Sequence, residues 1–173
     1  RSQFAMSGAD AEGVIYLDGN SLGALPAATA ARVAAVVADE WGVGLIRSWN
    51  TPRLGGPHSG QTGWIDLGPR IANKIATLIG ANPGEAVVAD STSINLYKVL
   101  SAAMAIAKTR GDSVRTILSE GTNFPTDLYI ADTLAREHGF NLVLVEPDEI
   151  EAQLVRGVAI VMLTHVNYRT GRM

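Results

Sequence analysis

The sequence predicts an α/β protein, a mostly parallel sheet with flanking helices, and three observations point to it. Short apolar runs of strand length alternate with longer helical patterns from Glu85 onward, the signature of successive strand–helix–strand units. The longer helical patterns open on serine or proline and close on glycine, as helix ends do. A hydrophobic content of 47% and a charged content of 18% over 173 residues suit a globular chain with a sizeable core.

The elements follow in order. Arg1–Gly13 is polar and rich in small residues and is expected on the surface. Val14–Leu17 is a predicted strand that runs into the glycine-bearing loop Asp18–Gly23. Pro26 stands where a helix begins, and Ala27–Trp41 carries Val33, Val36 and Val37 on one face before Gly42. Gly44–Trp64 is irregular, and its Thr51–Gly63 part is a glycine- and proline-rich exposed loop. Pro69 opens a helix with an apolar stripe of Ile71, Ile75, Leu78 and Ile79 that Gly80 closes. Asn82-Pro83-Gly84 is a turn.

Strand Ala86–Ala89 then leads to helix Ser93–Arg110, and strand Arg115–Ser119 to a helix from Pro125 that ends before Gly139. Strand Leu142–Glu146 leads to a short helix begun by Asp148, with Glu151 at capping-box spacing, and strand Val158–Thr164 is last. In such sheets ligands sit beyond the carboxyl ends of the strands. Asp90–Ser93, Glu120–Asp127 and Thr164–Thr170 therefore fall along one edge.

Charge and composition narrow the function. A net charge of −3 gives no basic field for nucleic acid. The absence of cysteine excludes disulfides, thiolate metal sites and a cysteine nucleophile, and fits a reducing, cytoplasmic setting. No apolar run reaches the length of a membrane helix. The three histidines have no metal-ligand spacing, so no metal is expected, and GxGxxG, Walker and GxSxG motifs are missing.

Three stretches carry candidate chemistry. Asp90-Ser91-Thr92-Ser93 sets hydroxyls at a helix start, where unpaired N–H groups and the helix dipole make an anion seat suited to phosphate. The same residues are also ordinary N-caps, and on this stretch alone capping is the heavier reading. Phe124, before Pro125, Thr126 and Asp127, offers a ring on which a planar heteroaromatic ligand can stack, or else a hydrophobic staple for the helix. His165 ends the last strand beside Asn167 and Arg169, where a structural histidine is the commoner case. Lys74, Lys98 and Lys108 all fall within predicted helices, so none sits on a strand-end loop within reach of a cofactor.

Five segments in order resemble bacterial kynureninase: Tyr16–Gly23, Leu45–Asn50, Asp90–Leu96, Asn123–Tyr129 and Leu163–Gly171. The resemblance implies the fold-type-I architecture of pyridoxal-phosphate enzymes. It divides the chain into residues 1–68, with substrate-side loops and one helix, and 69–173, the first half of the cofactor-binding large domain. It implies pyridoxal 5'-phosphate as cofactor, its phosphate on Thr92 and Ser93, its ring on Phe124, with Pro125, Thr126, Asp127 and Thr164 alongside. Ser21 and Trp49 match substrate-facing positions; a turn serine and a packing tryptophan are their plain alternatives.

The implied reaction is hydrolysis of L-kynurenine or 3-hydroxykynurenine to anthranilate or 3-hydroxyanthranilate and L-alanine, in tryptophan catabolism and NAD-related metabolism. A homodimer is implied in the full-length form. The family's Schiff-base lysine, the tyrosine before it and the aspartate that pairs the pyridinium match nothing up to Met173. No catalytic residue is therefore expected within the chain, which reads as an inactive N-terminal fragment with an exposed sheet edge prone to aggregation. Thr51–Gly63 reads as an insertion relative to the family. Two other readings stand beside this one: another fold-type-I enzyme of the cysteine desulfurase or class V aminotransferase kind, and a non-catalytic α/β module for a phosphorylated ligand.

Overall fold

A computed structural model describes residues 2–19, 21–50, 63–111, 113–154 and 157–173. The loop and insertion expected over Thr51–Gly63 therefore lie, Gly63 apart, outside the described residues. The chain forms two compact units, Arg1–Val88 and Ala89–Met173.

In the first unit, helix α1 covers Ser7–Ala11, α2 covers Thr29–Ala35 and α3 covers Leu67–Ile79. An antiparallel bridge between Phe4 and Pro26 ties the leading segment to the residues before α2. Helix α2 continues as a wider, π-helical turn over Val36–Trp41, and Glu40 in that turn organises what surrounds it. Its carboxylate pairs with Arg32 at 2.7 Å and accepts from the indole N–H of Trp64 at 2.5 Å. Its carbonyl accepts from the hydroxyl of Ser48 at 2.6 Å. This approach requires Gly44: a Cβ there would stand 2.3 Å from the Glu40 carbonyl oxygen and 2.0 Å from Ser48 Oγ.

Two expectations for this unit are corrected. The stripe Ile71, Ile75, Leu78 and Ile79 is exposed, and α3 instead buries Ala72 and Ala76, whose small side chains allow close approach. Val14–Leu17 is irregular and joins no ladder among the described residues, and the same holds for Ala86–Ala89. Four apolar residues become a strand only when a neighbour pairs with them, and Leu17 and Val87 stay more than four-fifths exposed.

The second unit holds the sheet. Its strands are β1, Thr116–Glu120, β2, Asn141–Val145, and β3, Ile160–Met162, parallel and in the order β2-β1-β3. Leu118 of β1 faces Val143 on one side and Val161 on the other. This parallel sheet with its helices is the α/β fold the sequence predicts, though β3 is shorter than Val158–Thr164. Helix α4, Thr92–Thr109, and helix α5, Pro125–His138, pack together over the sheet. Their Leu100, Met104, Ala107, Ala131, Leu134 and Ala135 close one core with Ile117, Phe140 and Met162.

Local chemistry explains the helix ends. Pro125 opens α5 with a φ already set for a helix, and Gly139 stops it at φ 72°. The capping box near β2 is Glu146 with Glu149, not Asp148 with Glu151; Pro147 occupies its first helical position, ahead of α6, Ile150–Leu154. Replacement of the buried Leu134 by alanine is expected to lower stability by about 2–5 kcal/mol in urea unfolding. Gly139→Ala, which forces a side chain into the left-handed region, is expected to cost about 1 kcal/mol in the same experiment.

Candidate functional site

The carboxyl end of β1 is where two of the predicted residues, Phe124 and Thr164, are joined. β1 is the central strand and is buried to its last residue, including Ser119 and Glu120. The chain then turns through Gly121-Thr122-Asn123, with Gly121 N–H donating to the carbonyl of Val145 at 2.9 Å and Asn123 N–H to that of Glu120 at 3.2 Å. Phe124 takes the N-cap position of α5, and its carbonyl accepts from the N–H groups of Asp127 and Leu128 at 3.0 and 3.2 Å.

Side chains hold this turn to the segment after β3. Ser119 Oγ donates to the carbonyl of Met162 at 2.7 Å and accepts from Asn123 Nδ2 at 3.2 Å. Asn123 Oδ1 accepts from the N–H of Phe124 at 2.6 Å and from the hydroxyl of Thr164. Asn167 makes a second tie. Its Nδ2 donates to the carbonyl and hydroxyl oxygens of Thr122 at 3.3 and 3.2 Å, and its Oδ1 accepts from the N–H groups of Arg169 and Thr170 at 3.0 and 3.1 Å. The ring of Tyr168 meets that of Phe124 edge to face, with centroids 5.1 Å apart. Phe124 itself is half exposed and keeps surface free for a stacked ligand.

Thr92 and Ser93 stand at the start of α4. Ser91 is the capping residue, its hydroxyl accepting from the N–H of Ile94 at 3.5 Å. The hydroxyls and N–H groups of Thr92 and Ser93 have no hydrogen-bond partner among the described residues. Two hydroxyls and two amide N–H groups at a helix start are a donor set that fits a phosphate. No hydrogen bond joins them to the Asn123 cluster among the described residues, whereas Phe124 and Thr164 are joined through Asn123.

Of the remaining nominated residues, Pro125 and Thr126 are exposed on the first turn of α5. Asp127, on that same turn, is partly buried, and the loss of water around its carboxyl raises its pKa from 3.8. Ser21 and Trp49 belong to the first unit. The hydroxyl of Ser21 donates to Asp18 at 2.8 Å, within a loop that Tyr16 closes by donating to the carbonyls of Asp18 and Leu22. Trp49 ends a short 3₁₀ turn, Leu45–Trp49, with half its surface exposed.

A cleft of about 530 Å³ opens beside the β3 loop, with Glu120, Glu146, Asp148, Glu151, Thr164 and His165 on its walls. Four carboxylates make it a poor seat for a phosphate, and Thr164 is its one wall residue among those nominated for the cofactor. His165 is exposed there.

No protein-family model matches the chain. Whole-length likeness to curated proteins does exist: the chain is 54% identical over 176 aligned residues to a kynureninase of Pseudomonas fluorescens. It is 46% identical over the same span to kynureninases of Burkholderia pseudomallei and Burkholderia mallei. Over its whole length the chain is similar to these kynureninases. It spans 39% of the length of these relatives. Two residues of this sheet edge, Ser119 and Asn123, are not among those the sequence nominates. Their signal was a serine near the end of an otherwise apolar strand, a buried polar group that must find partners.

The carboxyl of Asp127 gives a test of its surroundings. Its folded pKa lies above the unfolded value, so the native state holds this proton more tightly and stability falls as pH rises through the interval above 3.8. Asp127→Asn lacks that loss. Its stability relative to the parent is expected to rise as the pH is raised from about 4, read from urea midpoints at each pH.

Proposed function

We propose that this chain is part of a pyridoxal-phosphate-dependent enzyme that hydrolyses L-kynurenine to anthranilate and L-alanine. The observation that carries the reading is the 54% identity to a kynureninase across the whole chain. The donors of Thr92 and Ser93, without a partner among the described residues, and the open ring of Phe124 support it.

In this reading Thr92 and Ser93 hold the cofactor phosphate, and Phe124 stacks on the pyridine ring. Pro125, Thr126, Asp127 and Thr164 line the same site, and Ser21 and Trp49 face the substrate. This corresponds to a substrate-side region of residues 1–68 and a cofactor-binding region of residues 69–173. When bound, the cofactor supplies an electron sink for the carbon next to the substrate amine. The residues of this chain keep that ring oriented; water adds to the ketone carbon of the substrate side chain, and the bond between the β and γ carbons breaks.

The lysine that attaches the cofactor is none of the three in this chain. Lys98 pairs with Asp90, Lys108 lies over the ring of Phe140 at 5.9 Å, and Lys74 is exposed on α3 in the first unit. The 173 residues alone are therefore proposed to be inactive, and the full-length protein to act as a cytoplasmic homodimer.

The full-length protein, mixed with pyridoxal phosphate, is expected to change the visible absorption of the cofactor and to convert L-kynurenine into fluorescent anthranilate. Cofactor binding without anthranilate would point to another fold-type-I enzyme, and neither signal to a non-catalytic module. Thr92→Ala is expected to weaken pyridoxal phosphate by about 1.5–3 kcal/mol, tenfold or more, while leaving unphosphorylated pyridoxal nearly unchanged. Phe124→Leu is expected to weaken both ligands, as titration by protein fluorescence would show.

A further inference from the structure

We infer that Asn123 is a positioning residue for the cofactor site: its buried amide sets where the ring of Phe124 and the hydroxyl of Thr164 stand. The inference rests on the reading that those two residues face the cofactor. Asn123 is 4% exposed and too enclosed to serve a ligand directly. Its hydrogen bonds instead leave only one arrangement of the amide. The N–H of Phe124 is a pure donor, so the edge toward it must be the oxygen, and the hydroxyl of Thr164 donates to that same oxygen. Ser119 Oγ has given its hydrogen to the carbonyl of Met162, so it can only accept, and the NH₂ edge of Asn123 faces it.

Each partner on this path comes from a different part of the sheet edge. Ser119 belongs to β1, Met162 ends β3, Thr164 follows β3, and Phe124 caps α5. A single amide thus sets the distance between the start of α5 and the loop after β3. The serine beneath it is fully buried, with 0% exposure, so Ser119 acts on the site only through Asn123 and Met162. Neither residue was nominated for the cofactor by resemblance, and no other side chain joins Phe124 to Thr164 among the described residues.

The test uses the full-length protein and measures its affinity for pyridoxal phosphate by fluorescence titration, independent of turnover. Asn123→Ala is expected to weaken binding about tenfold, and Ser119→Ala about threefold. In a Phe124→Leu background the Asn123→Ala loss is expected to shrink to about threefold or less, because the ring it positions is already gone. A residue that only stabilises the fold would cost the same factor in both backgrounds, and that result overturns the inference. So does Asn123→Ala binding within about twofold of the parent. If Asn123→Ala does not fold, the Ser119→Ala cycle with Phe124→Leu decides: an equal loss in both backgrounds, or none in either, overturns it. A parent protein that fails to bind pyridoxal phosphate at all has a different signature; it removes the underlying reading and this inference with it.

Discussion

The structure of the second unit depends on one constraint: its central strand is buried to the end, and that end is polar. Ser119 and Glu120 close β1 with almost no exposure to water. A buried hydroxyl or carbonyl left without a partner costs on the order of 1–3 kcal/mol, so the strand can end there only if neighbours complete it. β3 pairs with β1 as far as Ser119 opposite Met162. The serine hydroxyl also takes the Met162 carbonyl, and Asn123 caps the serine. The backbone ladder is continued by side chains, and those side chains carry the loops that bear Phe124 and Thr164.

The competing readings of the α4 start resolve on similar grounds. A helix start has several free N–H groups, and one hydroxyl satisfies one of them. Ser91 takes the capping duty through Ile94, while Asp90 is engaged with Lys98. Thr92 and Ser93 are then left with donors that no described residue uses. Capping is thus carried by Ser91, and the anion seat proposed at Thr92 and Ser93 does not compete with it for the same residue. At the start of α5 the roles combine differently, because proline has no N–H to satisfy and Phe124 can keep its ring outward.

What could be read from the sequence follows from how local its cause is. Helix α5 was legible to the residue because Pro125 and Gly139 determine its ends by their own backbone preferences. Val14–Leu17 and Ala86–Ala89 were not, since a strand exists only where a second segment pairs with it. Glu146 and Asp148 both have a glutamate three residues on, and only the observed backbone distinguishes the box at Glu146 from the one expected at Asp148. The stripe of α3 fails for another reason: periodicity marks an apolar face without saying what lies against it, and Ala72 and Ala76 are buried instead. The candidate residues themselves were nominated one by one, from local patterns and from resemblance. The bond from Thr164 to Asn123 spans 41 residues and belongs to the fold, not to any local pattern.

The acidic cleft shows why an opening at the strand ends need not be the seat proposed for the cofactor phosphate. It lies at the carboxyl ends of the strands, where ligands of parallel sheets collect. Yet Glu120, Glu146, Asp148 and Glu151 repel a dianionic phosphate, and the donors that suit one are at Thr92 and Ser93. Thr164 connects the two descriptions, since it stands on the cleft wall while its hydroxyl is spent on Asn123. With that hydrogen committed, Thr164 meets a ligand through its methyl group or as an acceptor, not as a second donor. In the proposed cofactor site its contribution is therefore one of shape and placement, and the same amide holds both its hydroxyl and the backbone of Phe124.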